Sequence, residues 1–174
     1  MKKKTEKVRN FLEELHKRIV TDYLFNNETE KRSESYVQAQ IRPIIFNFLV
    51  DKFKELNFVN PEKKANKSLY WGGSGKVYEG ERGEAFGTKN YPDFIIKAPY
   101  HVAVEYKKSD SGSLVKQGIG QSIMHTLCKG HHYVYMLFQD ENKDKKILKS
   151  IAGETEAGTI REMWEKHNVF IRFC

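Results

Sequence analysis

Apolar residues recur at helical spacing twice in the first third of the chain. Val8, Phe11, Leu12, Leu15 and Ile19 mark one face of an amphipathic helix over about Glu6 to Tyr23. After a polar link through Asn26, Asn27, Glu28 and Thr29, the positions Val37, Ile41, Ile44, Ile45 and Phe48 mark a second helix. It runs from Ser35 to about Leu56, with a kink expected at Pro43. Ser33 is placed to cap it. Glu34 lies on its apolar face, one turn before Val37, where a carboxylate is costly unless used or paired. A loop with Pro61, Lys63, Lys64 and Lys67 then leads through Leu69, Tyr70 and Trp71 into a stretch rich in glycine and charge that reaches Phe86.

The period changes in the middle of the chain. Phe94, Ile95, Ile96 and Val102, Ala103, Val104 are short apolar runs separated by Ala98, Pro99 and Tyr100, a pattern that predicts two antiparallel strands joined by a turn. Leu114 to Cys128 predicts a helix and Tyr133 to Phe138 a buried strand. Asp140 to Lys149 predicts a charged turn, Thr159 to Lys166 a helix, and Val169 to Phe173 a closing strand. No internal repeat is present, and the alternation of strands with helices makes the chain α/β.

Antiparallel pairing brings the end of the second strand back to the start of the first. Asp93 opens the first run and Glu105 follows the second, so their carboxylates become neighbours. Alternate strand residues share a face, so Lys107 points the same way as Glu105 while Tyr106 points to the other side. Two carboxylates and an ammonium in one place suit a divalent cation held against a phosphodiester. Magnesium accepts one or two carboxylates plus a substrate phosphate, and a lysine can orient the attacking water and offset phosphate charge. Asp after Pro is also a common turn element, and Glu-x-Lys is often a solvated pair. Lys108 would replace Lys107 if the strand were bulged.

Pro92-Asp93 followed by Glu105-Tyr106-Lys107 resembles the PD-(D/E)xK signature of restriction-endonuclease-like nucleases. The flanking order supports the resemblance: a helix bearing Glu34 before the strands, and after them a helix bearing Gln117 and Gln121, four residues apart on one face. Together they are similar to the αβββαβ core of that superfamily over roughly the middle three-fifths of the chain. The match is weaker to the N-terminal nuclease region of type I restriction subunits. The resemblance implies a central mixed sheet of four to five strands flanked by helices, with the N-terminal helix as an addition. It implies a Mg²⁺-dependent deoxyribonuclease, with Mn²⁺ able to substitute, in which Asp93, Glu105 and the carbonyl of Tyr106 hold the metal. Lys107 would orient the attacking water, Gln121 and Glu34 would support the site, and the product would carry a 5′-phosphate. Such nucleases often pair two protomers, so a homodimer is an expectation. A junction resolvase with a similar signature and a non-catalytic nucleic-acid-binding module are the rival readings.

Composition fits this picture without deciding it. A chain of 174 residues suits one domain, with residues 1–30 as a helical extension, 31–140 as the catalytic core and 141–174 as a closing helix and strand. Its 30 Lys and Arg against 23 Asp and Glu give +7, which favours a polyanion such as DNA and predicts salt-sensitive binding. Lys63, Lys64, Lys67, Lys76 and Lys108 are the candidate nucleic-acid contacts. Glu79, Glu81 and Glu84 add a metal ligand only if the glycine-rich loop folds over the site.

Other motifs fail on spacing. Gly72-Gly73-Ser74-Gly75-Lys76 lacks the phosphate-loop spacing and the Ser or Thr after lysine, and Asp140, Asn142, Asp144 lack the glycine and closing glutamate of a calcium loop. His125, Cys128, His131 and His132 lack a matching second pair for structural zinc; His125 shares the face of Gln121 and is otherwise a helix-end polar residue. Two cysteines, Cys128 and Cys174, make no disulfide framework. No run approaches a membrane span and the N-terminus does not read as a secretory signal, so the cytoplasm is expected.

Overall fold

The computed structural model describes residues 2–23, 32–72, 83–85, 88–127 and 132–174. Helix α1 (Lys2–Tyr23) buries Val8, Phe11, Leu12, Leu15 and Ile19, the stripe its spacing predicts. Helix α2 (Glu34–Glu55) buries Val37, Ile41, Ile45, Phe48, Leu49, Val50 and Phe53 and runs on through Pro43. Ser33 caps it by accepting the Tyr36 amide at 3.2 Å, and Lys52 and Lys54 lie in its last turn, where cations complement the helix dipole.

Residues 61–68, expected as a loop, form helix α3 (Pro61–Ser68). The signals were a capping Asn60, whose side chain accepts the Lys63 amide at 3.2 Å, then proline in the first turn and Glu62 beside it. Next come β1 (Leu69–Trp71), β2 (Gly83–Ala85), β3 (Thr88–Asn90), β4 (Phe94–Ile96) and β5 (Val102–Ser109). Helix α4 (Gly112–Leu127) crosses to β6 (Tyr133–Asp140). Helices α5 (Lys146–Ser150) and α6 (Glu154–His167) cross to β7 (Val169–Phe173). The expected charged turn after Asp140 thus holds a short helix, and the last helix starts at Glu154 rather than Thr159.

Five strands form one mixed sheet in the order β1-β4-β5-β6-β7, while β2 and β3 pair separately. Both pairs β1–β4 and β4–β5 are antiparallel; β5–β6 and β6–β7 are parallel, as crossovers through helices require. Helices α1 and α2 cover one face, packing with Phe94, Ile96, Val102, Val104, Tyr106, Tyr135, Leu137 and Phe170. The other face buries Ala103, Val134, Met136, Phe138, Val169 and Ile171 against Val115, Ile119 and Ile123 of α4 and Met163 and Ile160 of α6. Alternation along β5 is therefore what separates the two cores. No helix among the described residues is long and apolar enough to cross a membrane.

Helix α4 sits close to β6 because Gly118 faces it. A Cβ there would meet Phe138 ring carbons at 2.7 Å and Met136 Cε at 2.8 Å, whereas one at Gly120 would meet nothing within 4 Å. Gly118→Ala should destabilise the protein by about 1–3 kcal/mol through overpacking, against the usual helix gain. Gly120→Ala should stabilise it by about 0.5–1 kcal/mol. Chemical denaturation reads both signs, and a stabilised Gly118→Ala protein would contradict this seating of α4.

Candidate active site

The β4–β5 register builds the site. Phe94 pairs with Val104 and Ile96 with Val102, so Asp93, just before β4, falls beside Glu105. The Tyr106 amide donates to Asp93 Oδ2 at 2.8 Å, locking that carboxylate onto β5. Glu105, 4% exposed, points to the α4 face, where its Oε1 is 2.7 Å from His125 Nε2 on a ring that is 3% exposed. The two carboxyls are neighbours that raise and lower one another's proton affinity: the Glu105 charge works to keep the proton on Asp93.

Glu34 arrives from the first turn of α2. Its Oε1 accepts the Lys108 amide at 3.0 Å and its Oε2 lies 3.5 Å from Lys107 Nζ. Four of the expected residues, Asp93, Glu105, Lys107 and Glu34, are thus brought together. Tyr106 sends its ring to the opposite core, where its hydroxyl donates to Gln139 Oε1.

Gln121 is placed differently. It is exposed on α4, as is Gln117, and His125 one turn later takes the position against Glu105. The shared face of Gln121 and His125 was visible in the chain; the level at which α4 crosses β5 was not.

Of the expected nucleic-acid lysines, Lys63, Lys64, Lys67 and Lys108 do not gather at the carboxylates. Helix α3 delivers the chain to β1 at the Leu69–Ile96 end, where the Lys97 amide donates to Ser68 O at 2.8 Å. Lys63, Lys64 and Lys67 therefore belong to the end of these strands away from Asp93, and Lys64 Nζ lies 5.5 Å from the Phe58 ring centroid. Lys108 turns away from Lys107 and ion-pairs with Glu141 at 2.6 Å, its side chain 10% exposed. Lys76, Glu79, Glu81 and the Glu84 side chain lie outside the described residues, as do Cys128 and His131.

Burial raises Asp93 well above the usual carboxylate range, and the neighbouring Glu105 charge raises it further, against the Tyr106 amide and Lys107. Glu105 is raised by burial too, with Lys107 opposing. For Lys107, burial works against the charged form, but Asp93, Glu105 and Glu34 outweigh it and raise the pKa. Burial lowers His125 to about 4, so its imidazole is neutral at physiological pH.

The half-buried Asp93 and the buried Glu105 form an adjacent all-oxygen donor pair that fits Mg²⁺ or Mn²⁺, which need only one or two carboxylates and keep several waters. No cluster of three or more His, Cys, Asp and Glu side chains arranged to hold a metal occurs among the described residues, which sets this pair apart from a closed structural zinc site. Comparison of the chain with protein-family models, curated proteins and solved structures finds no match.

Stability should respond to pH in one direction on the alkaline side. A carboxyl raised on folding stabilises the fold below its unfolded value, about 4, and that contribution is lost as pH rises through the raised value. His125, lowered on folding, gives a contribution that is lost only as pH falls toward about 4, so it is constant in the alkaline range. The metal-free protein should therefore melt at a lower temperature near pH 9 than near pH 6.5, by about 2–4 °C per kcal/mol for a chain of this size. Asp93→Asn should flatten that slope. A wild-type melting temperature independent of pH across this window would contradict the desolvated pair.

Proposed function

We propose that this protein is a metal-dependent nuclease that hydrolyses DNA phosphodiester bonds, with Asp93, Glu105 and Lys107 as its PD-(D/E)xK residues. The observation that carries the reading is the placement of Asp93 beside the buried Glu105, flanked by Lys107 and Glu34. Two carboxylates without water destabilise a fold, and strongly shifted groups of this kind concentrate at functional sites. The order α2, β1, β4, β5, α4, β6 supports a restriction-endonuclease-like core, with β2 and β3 inserted between its first two strands. A net charge of +7 supports a polyanionic substrate.

Asp93, Glu105 and the Tyr106 carbonyl would hold Mg²⁺, which when bound polarises the phosphoryl group and offsets its developing charge. The protein's own residues then have separate tasks. Lys107 presents an ammonium to the attacking water and to the phosphate oxygens. Glu34 holds Lys107 from the α2 side, so the ammonium is aimed rather than free to swing. His125, neutral, fixes the orientation of Glu105 by donating Nε2–H to its carboxylate.

Cleavage of supercoiled plasmid, linear duplex, single strands, RNA and a four-way junction, with Mg²⁺, Mn²⁺ or EDTA, tests the proposal. Cutting should require the metal and fall by at least about 100-fold in Lys107→Ala. His125→Ala should weaken metal affinity by about 10- to 100-fold and recover part of its activity at high Mg²⁺. An intact fold that binds nucleic acid but cuts none of these substrates with either metal would overturn the enzyme.

A further inference from the structure

A cavity of about 500 Å³ lies between α4, α5, α6 and the end of β7. Asp110 follows β5, Asn142 follows β6 and Phe173 closes β7, so the carboxyl ends of the three parallel strands meet there. In open α/β sheets the crevice beyond those ends is the ordinary place for a ligand. None of Glu34, Asp93, Glu105, Lys107 and His125 lines it, so it is separate from the carboxylate site.

The walls of this cavity are apolar and incompletely covered. Val115 and Ile119 of α4, Ile151 after α5, Ile160 of α6 and Phe173 of β7 all line the space, and each is only half-buried. Val115, Ile119, Ile160 and Phe173 already pack on the core behind them, so the area they still show is what a guest would cover. Covering apolar area is the main source of affinity in small-molecule sites, and the volume falls within the roughly 300–1,000 Å³ that such sites span. A concave space of this size suits a small molecule better than a flat protein surface.

The rim sets the sign of the guest's polar end. Its acceptors are engaged or offset: Glu156 accepts the Ser150 hydroxyl at 3.0 Å, and the Asn142 side-chain oxygen accepts the Asp144 amide at 3.0 Å. Asp110 lies just before α4, whose dipole offsets a negative charge. The cations are looser. Lys146 reaches Asp144 only at 4.0 Å, and Lys116 makes no hydrogen bond or ion pair among the described residues. Two exposed ammonium groups at the mouth of an apolar space fit a molecule with an apolar body and one anionic head.

We propose that this cavity binds a small amphipathic anion, its ring or chain against Ile119, Ile151, Ile160 and Phe173 and its head toward Lys116 and Lys146. The site stands apart from the nuclease reading and does not depend on it. A guest here would bridge α4 to α5 and α6, and α4 is the helix that carries His125 to Glu105.

Titration of the metal-free protein with two fluorescent probes tests the site. Anilinonaphthalene sulfonate is an apolar ring system with one anionic head, and aminoanthracene is a neutral counterpart. Both should bind the wild type. Thr159→Phe, which adds a ring to the lining from an exposed position on α6, should weaken both by at least about tenfold without lowering the melting temperature. Val115→Phe, filling the space from α4, should do the same. Lys116→Gln with Lys146→Gln should weaken the sulfonate by about three- to tenfold and leave aminoanthracene unchanged. No binding of either probe by the wild type, or binding that survives both filling substitutions, would overturn the site. A lysine variant that binds the sulfonate normally would overturn the anionic class. A concentration-dependent dimer that the filling substitutions disperse would give the cavity to a second copy of the chain and overturn the small-molecule site.

Discussion

The hydrogen bond from the Tyr106 amide to Asp93 is the contact on which the site depends. Asp93 sits outside the regular pairing of β4, and without that donor its carboxylate would have no reason to lie against β5. With it, Asp93, half-buried, is held beside the fully buried Glu105. A short antiparallel connection is what makes this possible. Residues 97–101 return the chain so soon that the two carboxylates, twelve positions apart, become neighbours without any long-range search.

Around that pair the charges alternate. Lys107 opposes the two carboxylates, Glu34 opposes Lys107, and His125 hydrogen-bonds to Glu105 without adding a charge. The five groups come from four places in the fold: Glu34 from α2, Asp93 from the approach to β4, Glu105 and Lys107 from β5, and His125 from α4. Packing of the helices on both faces of the sheet therefore sets the electrostatics, and a shift of α4 or α2 would change the environment of Glu105 or Lys107 before any site residue was altered. Gly118 has this significance, because it lets α4 approach β6 closely enough for His125 to reach Glu105. The arrangement favours site geometry over stability, since a buried acidic pair is a liability that apolar residues would not carry.

Much of this was legible in the chain. Period-3.6 spacing located α1 and α2, the two three-residue apolar runs located β4 and β5, and the short turn between them implied the meeting of Asp93 with Glu105. Glu34 was legible as a carboxylate on an apolar face, and the structure gives it partners on β5. His125 was not separable from Gln121, because helical spacing says which residues share a face but not which turn crosses the strand. Helix α3 was obscured by its lysines, although Asn60-Pro61-Glu62 carried a start signal. Lys108 looked like a surface cation because its partner, Glu141, becomes a neighbour only through the parallel pairing of β5 with β6. Long-range register of that kind has no local signature.

The central proposal is that Asp93 and Glu105 together take a divalent cation, which must displace the proton that burial keeps on Asp93 near neutral pH. Calorimetric titration of the protein with Mn²⁺ near neutral pH, in buffers of different ionisation enthalpy, counts the protons displaced. The account predicts binding that releases about one proton in the wild type, with binding lost in Asp93→Asn. Binding without proton release, or equal binding by the wild type and Asp93→Asn, would contradict it.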